Sequence, residues 1–390
     1  MSGGPSAARL LARPAALALA GALVLTGCGR PAPAPTTAAP TGSPVTVTAG
    51  QTRLEQAVAA VVERHLRHRG HPVQAAPEGA SPWTVSGEGS VAVVDTLRLA
   101  LEADPAGMLP APTAAGSATG APAAPSVPAS GTASPSPLPL GRAPRAGGPE
   151  EAERVVEAGL ARAAAGVDVA LPPGSAEASA SPSPKPTLPG REQAPEVLAS
   201  SPAVLQLGVA VTAATAARGQ MDSMDDLNGH CVQQTVAVPT HLGQAPELER
   251  ATSLLYERLG ALAGCRPASW STAAEDVTAP LIVDEARAGL VYTTDPELDP
   301  SALVLLGDAT GVLPSGRIAA LAQPEALDAD AQAALKEVLD ALDAEALTVL
   351  ARVTSGPDAL SAEDAAQYWL VTQGLEVAPE GWIAPQGSWF

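Results

Sequence analysis

Aromatic side chains are scarce in this 390-residue chain, which has five Trp, three Tyr and one Phe. Any core must therefore be built from small aliphatics, and a site that depends on ring faces has few residues to draw on. Basic side chains are also few, 22 against 41 acidic, for a formal net charge of −19. That excludes the basic footprint a nucleic-acid binder needs. No apolar run after the N-terminal region approaches the ~20 residues of a membrane-spanning helix. No Gly-rich phosphate loop, His-Glu-x-x-His pair or Gly-x-Ser-x-Gly elbow is present. The expectation is a protein without enzymatic activity, cofactor or metal.

What is present begins with a leader. Arg9 and Arg13 precede an apolar run from Ala15 to Leu25, too short to span and followed by small residues. Leu25-Thr26-Gly27-Cys28 has the form of a bacterial lipobox, in which Cys28 becomes a lipidated N-terminus. An ordinary secretory signal with an incidental Cys is the alternative. Removing residues 1–27 takes away two arginines and no acid, so the net charge becomes −21. The expected location is the extracytoplasmic face of the cell membrane, with residues 28–44 as lipidated cysteine and Pro/Thr/Ala tether. The other two cysteines, Cys231 and Cys265, read as a disulfide in an exported protein, with two buried free thiols as the alternative.

Gly and Pro are plentiful, 36 and 40 residues. They concentrate between Leu109 and Gly148 and again from Pro172 to Pro195, stretches too poor in bulky apolar residues to offset their ordering entropy, and both are predicted to be loops. Elsewhere strand and helix signals alternate. Val45–Thr48 reads as a strand, the spacing of Leu54, Val58, Val61, Val62 and Leu66 as a helix, and Pro72–Ala76 and Val91–Val94 as further strands. That is the βαβ pattern of a largely parallel sheet. Glu150–Ala165 and Glu247–Ala263 read as helices, Leu205–Thr212, Val232–Val238 and Gly289–Thr294 as strands. Leu281–Ala288 reads as a helix and Leu303–Leu306 as a short strand, and the tail from Pro324 is mostly helical.

Four segments in order resemble the glycine betaine/choline/carnitine-type substrate-binding lipoproteins of ABC importers. They are Leu54-Glu55-Gln56; Val211 to Ala216 with Ser223-Met224-Asp225-Asp226-Leu227; Ala288 to Pro296 followed by Leu303 to Asp308; and Ala366-Gln367-Tyr368-Trp369-Leu370 with Gly374-Leu375. The resemblance implies an α/β two-lobed periplasmic-binding-protein (type II) fold with a hinged cleft. Lobe 1 is expected to comprise residues 45–208 plus 312–390 and lobe 2 residues 209–311. The chain departs from the family where Arg53 replaces an aromatic and where Val94-Asp95-Thr96-Leu97 replaces a Glu-Tyr-x-Gly-Thr segment. The family holds a quaternary ammonium by aromatic faces and a nearby carboxylate.

The candidate ligand residues are Tyr292, Thr293, Thr294, Asp295, Trp270, Trp83, Thr212 and Glu55. Tyr292 to Asp295 lie at a strand's C-terminal end, where open α/β sheets bind ligands, and equally suit a hinge turn. Trp270 and Trp83 are the ring candidates, each with a structural packing role as the alternative. His65, His68 and His71 suit a helix C-terminus without a metal. The expected function, which the resemblance implies, is capture of a small quaternary-amine or osmoprotectant-like solute such as glycine betaine or choline in the interlobe cleft by a monomer that delivers it to ABC permease subunits, held at the membrane by the lipid on Cys28. The alternative is a binding-protein scaffold retained for a cell-envelope interaction or sensory role.

Overall fold

A computed structural model describes residues 44–382, apart from 77–79, 86, 113–143, 167–193, 232–233, 240–241, 243–247, 273–276, 297, 299–301, 324 and 357. Cys28, most of both low-complexity stretches, Trp389 and Phe390 lie outside the described residues. Residues 40–390 form one compact unit.

The chain opens as its pattern predicts. Strand β1 (Val45–Ala49) leads into α1 (Arg53–His68), whose start is fixed by a capping box: Thr52 accepts from the Glu55 amide and Glu55 accepts from the Thr52 amide. Val58, Val61, Val62 and Leu66 are buried on one face, and His65, Arg67 and His68 sit in the last turn. Then follow β2 (Val73–Ala75), a 3-10 turn (Pro82–Thr84), β3 (Ser90–Asp95), α2 (Thr96–Ala103), α3 (Pro105–Met108), α4 (Pro149–Ala164) and β4 (Glu196–Ser200).

The second half runs β5 (Leu205–Thr212), α5 (Ala213–Gly219), a 3-10 turn (Met224–Leu227), β6 (Thr235–Val238), α6 (Glu249–Leu262), β7 (Ser269–Thr272), α7 (Thr278–Ile282), β8 (Ala288–Tyr292) and β9 (Leu303–Leu305). It closes with β10 (Ser315–Gly316), β11 (Ile318–Ala322) and helices α8 (Ala329–Asp340), α9 (Ala344–Val353) and α10 (Ala362–Thr372). The helix expected over Leu281–Ala288 is instead α7, because Asp284 takes a left-handed φ of 62° and ends it. Among the described residues no helix is long and apolar enough to cross a membrane.

Two sheets result. The first has the order β2-β1-β3-β11-β4, with β1, β2 and β3 parallel and β11 antiparallel to both its neighbours. The second has the order β10-β5-β8-β6-β7, with β9 also on β5. The chain passes from the first sheet to the second between Ser200 and Leu205, and returns between Leu305 and Ile318, touching the second sheet again at β10. These passages join the two lobes.

One apolar cluster lies mainly in the first lobe, where α1 packs on α8 and α10 around the buried Trp369, and Leu205 of β5 and Tyr292 of β8 reach it from the second sheet. Another runs without a break from Leu97, Met108, Val156 and Leu160 of the first lobe to Leu207, Leu255 and Leu259 of the second. Small aliphatics fill both, as the shortage of rings requires. Cys231 and Cys265 are joined, 34 residues apart in sequence, with Cα atoms 4.9 Å apart. Closing a loop of that length stabilises by ~4 kcal/mol in the chain-entropy model.

Candidate functional site

Three strands end at the same place. Asp95 is the last residue of β3, Tyr292 the last of β8, and Glu55 lies in the first turn of the helix that follows β1. Carboxyl ends of strands are where open α/β sheets bind ligands. Here they come from both lobes, since β1 and β3 belong to the first sheet and β8 to the second.

The geometry at this meeting point is continuous. The Tyr292 hydroxyl donates to Asp95 Oδ2 at 2.8 Å. Asp95 Oδ1 accepts from the Leu97 amide at 2.8 Å, so the same carboxyl caps α2. The Asp95 amide donates to Glu55 Oε1 at 2.7 Å, and Glu55 Oε2 accepts from the Thr52 amide at 2.8 Å. Behind them Arg98, 2% exposed, donates to Gln51 Oε1 at 2.8 Å. The Glu55 carboxylate fits only because residue 50 is glycine: a Cβ there would lie 2.1 Å from Glu55 Cδ. At Gly316, where the return passage meets the N-terminus of α2, a Cβ would stand 2.4 Å from the Leu97 amide nitrogen.

Two acidic side chains are thus enclosed within one hydrogen-bond network. Burial pushes Asp95 up from 3.8 to about 7, and the neighbouring Glu55 charge pushes the same way. The bonds from Tyr292 and from the Leu97 and Arg98 amides oppose this without cancelling it. Burial also raises Tyr292 well above the ordinary tyrosine range, helped by the Asp95 charge. The phenol therefore stays protonated and donates, while Asp95 exchanges its proton near neutrality. The chemistry available is recognition of positive charge, by a carboxyl that can release a proton to accept a cation. Among the described residues no group of three His, Cys, Asp or Glu is placed to hold a metal ion.

The remaining candidates are distributed as follows. Thr293 follows Tyr292 and its amide bonds the Gln206 carbonyl; Thr294 is buried; the Asp295 amide bonds the Tyr292 carbonyl in the turn that leaves β8. Thr212 caps α5, accepting from the Thr215 amide at 3.1 Å. The Trp83 indole donates to Glu102 at 2.6 Å, and its ring lies against Gly159 of α4, so it is engaged inside the first lobe. Trp270 lies in β7 with its backbone paired to Val236; its side chain is outside the described residues. The structure brings Glu55 and Tyr292 into one network through Asp95, a residue absent from the sequence-derived set. The signal for Asp95 was an acidic residue between a β-branched strand and Thr-Leu-Arg-Leu-Ala-Leu, the place of an N-cap. His65 meets Glu337 at 3.0 Å and His71 lies 3.9 Å from Asp328, both in or beside α8.

Residues 190–372 match the family described as the substrate binding domain of the ABC-type glycine betaine transport system. No curated protein sequence matches the chain. Among solved structures, a glycine betaine/carnitine/choline ABC transporter protein is 14% identical, with a TM-score of 0.52, over 85% of this chain and 99% of its own. An ABC-transporter choline-binding protein in complex with choline is 11% identical, with a TM-score of 0.46, over 88% of this chain and 94% of its own. The lactococcal OpuAC in its closed-liganded form with glycine betaine is 11% identical, with a TM-score of 0.45, over 85% and 97%. The first of these shows the two-lobed periplasmic-binding-protein fold.

Proposed function

We propose, for a chain whose residues 190–372 match the substrate binding domain of the ABC-type glycine betaine transport system, that it captures a small quaternary amine in the interlobe cleft. Substrate-binding proteins of this family are not enzymes. The observation that carries the reading is the Tyr292–Asp95 bond, which joins strand ends of both lobes above the Glu55 carboxylate. A cation entering there gains carboxyl charge from Asp95 beside the Tyr292 ring, which packs against both apolar clusters, in a site already shielded from water. Closure of the lobes around it would present a permease with a form distinct from the empty one. The lipobox at Cys28 supports a lipid anchor and an extracytoplasmic location.

The test is a thermal-shift and calorimetric screen of residues 40–390 against glycine betaine, choline, carnitine, proline betaine and ectoine. A shift with one of them that disappears in Asp95→Ala supports the reading. No shift at millimolar concentration removes it. That result would favour a scaffold kept for a cell-envelope role, consistent with the engagement of Trp83 by Glu102 and Gly159.

A further inference from the structure

Arg258 lies on α6, in the second lobe, and is 1% exposed. Its guanidinium donates to four backbone carbonyls: Nε to Val312 at 2.5 Å, Nη1 to Pro110 at 2.6 Å, and Nη2 to Pro144 at 2.5 Å and Gly311 at 3.3 Å. These acceptors come from separate places. Pro110 and Pro144 belong to the first lobe, after α3 and before α4, whereas Gly311 and Val312 belong to the return passage between the lobes. Asp308 holds that passage in place by accepting from the Val312 and Leu313 amides at 2.8 and 2.9 Å.

The rest of this interface is apolar. Helix α3 packs on α6, and Met108, Leu109, Leu255 and Leu259 share one core cluster. Apolar burial is non-directional and permits several registers of one helix on the other. A guanidinium is a rigid planar fork that accepts few geometries. Taking its charge out of water is costly, so a buried Arg is a poor source of net stability, and here its fork of donors instead ties together three separate stretches of backbone. Burial lowers the Arg258 pKa, and the Asp308 charge only partly restores it.

We infer that Arg258 is a positioning residue that fixes the register of the second lobe on the first, and thereby brings Tyr292 within bonding distance of Asp95. Arg258 has no bond to either of them; it acts through the return passage, which continues into β10 beside β5, the strand paired with β8.

A double-mutant cycle tests this without any solute, so its result is independent of whether the cleft binds quaternary amines. Urea unfolding is measured for the wild type, Tyr292→Phe, Arg258→Met and the double variant, and the cycle is repeated with Arg258→Lys. Arg258→Lys keeps the charge but cannot span the separate carbonyls, and it serves if the Met variant does not fold. Residues that do not touch are ordinarily additive. The expected result is coupling: the midpoint shift caused by Tyr292→Phe falls to half or less once Arg258 is replaced. Additivity in the backgrounds that fold would overturn the inference, because Arg258 would then support stability without setting register.

Discussion

The hydroxyl of Tyr292 and the carboxyl of Asp95 meet at 2.8 Å from the ends of strands in different sheets. A hydrogen bond to a buried carboxyl is worth about 1–3 kcal/mol when its loss leaves the acceptor unsatisfied. Tyr292→Phe keeps the ring and removes only the donor. It should lower the unfolding free energy by that amount and weaken solute capture, read by urea titration and calorimetry. An unchanged urea midpoint would mean that the bond contributes nothing in solution.

Asp95 gives this site a pH dependence of definite sign. Its folded-state value of about 7 lies above the ordinary 3.8, so the folded protein keeps a proton that the unfolded chain has already released. This contribution is fully present below about pH 4 and is lost as pH rises through 7. Asp95→Asn retains the shape and removes the titration. Between pH 5 and pH 8 the wild type should therefore lose stability relative to Asp95→Asn, by an amount on the order of a few kcal/mol. Binding of a cationic solute should move the other way, tightening as Asp95 deprotonates. A wild-type affinity for choline that is flat from pH 5 to pH 8 would separate Asp95 from the ligand.

Gly50 is where the backbone makes room for the Glu55 carboxylate. A methyl group at that position would occupy space within 2.1 Å of Glu55 Cδ and of Oε1. Gly50→Ala must displace the carboxylate from the Asp95 and Thr52 amides that it now joins. Overpacking of this kind costs about 1–3 kcal/mol, measurable as a lower melting temperature. The combined variant Gly50→Ala/Glu55→Ala should recover part of that loss, since the clashing group is gone; no recovery would place the strain elsewhere.

The scaffold was legible where periodicity and caps coincide. The apolar spacing from Leu54 to Leu66 announced α1, and the Gly289 to Thr294 run announced β8. Strand β11 was harder to see, because Ile318–Ala322 is a short, fully buried run with no alternation to reveal its period. Trp83 shows why ring counting alone misleads about a site. Its identity suggested a cage wall, but whether its ring faces solute or neighbour depends on Gly159, 76 residues away in sequence. Asp95 escaped for a related reason: its chemistry comes from burial beside Glu55 and Tyr292, a tertiary contact that no local pattern encodes.

His65 opposes Asp95 across an overlapping pH range. It is 2% exposed, its Nε2 lies 3.0 Å from Glu337 Oε2, and Arg69 donates to that same oxygen at 2.8 Å. Burial lowers its pKa more than the Glu337 contact raises it, while Arg69 and His68 lower it further. With its folded value below the ordinary 6.5, the unfolded chain takes up the proton first. Stability is then lost as pH falls below about 6.5, whereas the Asp95 contribution grows over the same interval. His65→Gln removes the first effect and Asp95→Asn the second. Urea midpoints taken from pH 7.5 to pH 5 should therefore rise in His65→Gln and fall in Asp95→Asn, each relative to the wild type at the same pH. Parallel curves for all three proteins would show that neither buried group shifts as its surroundings require.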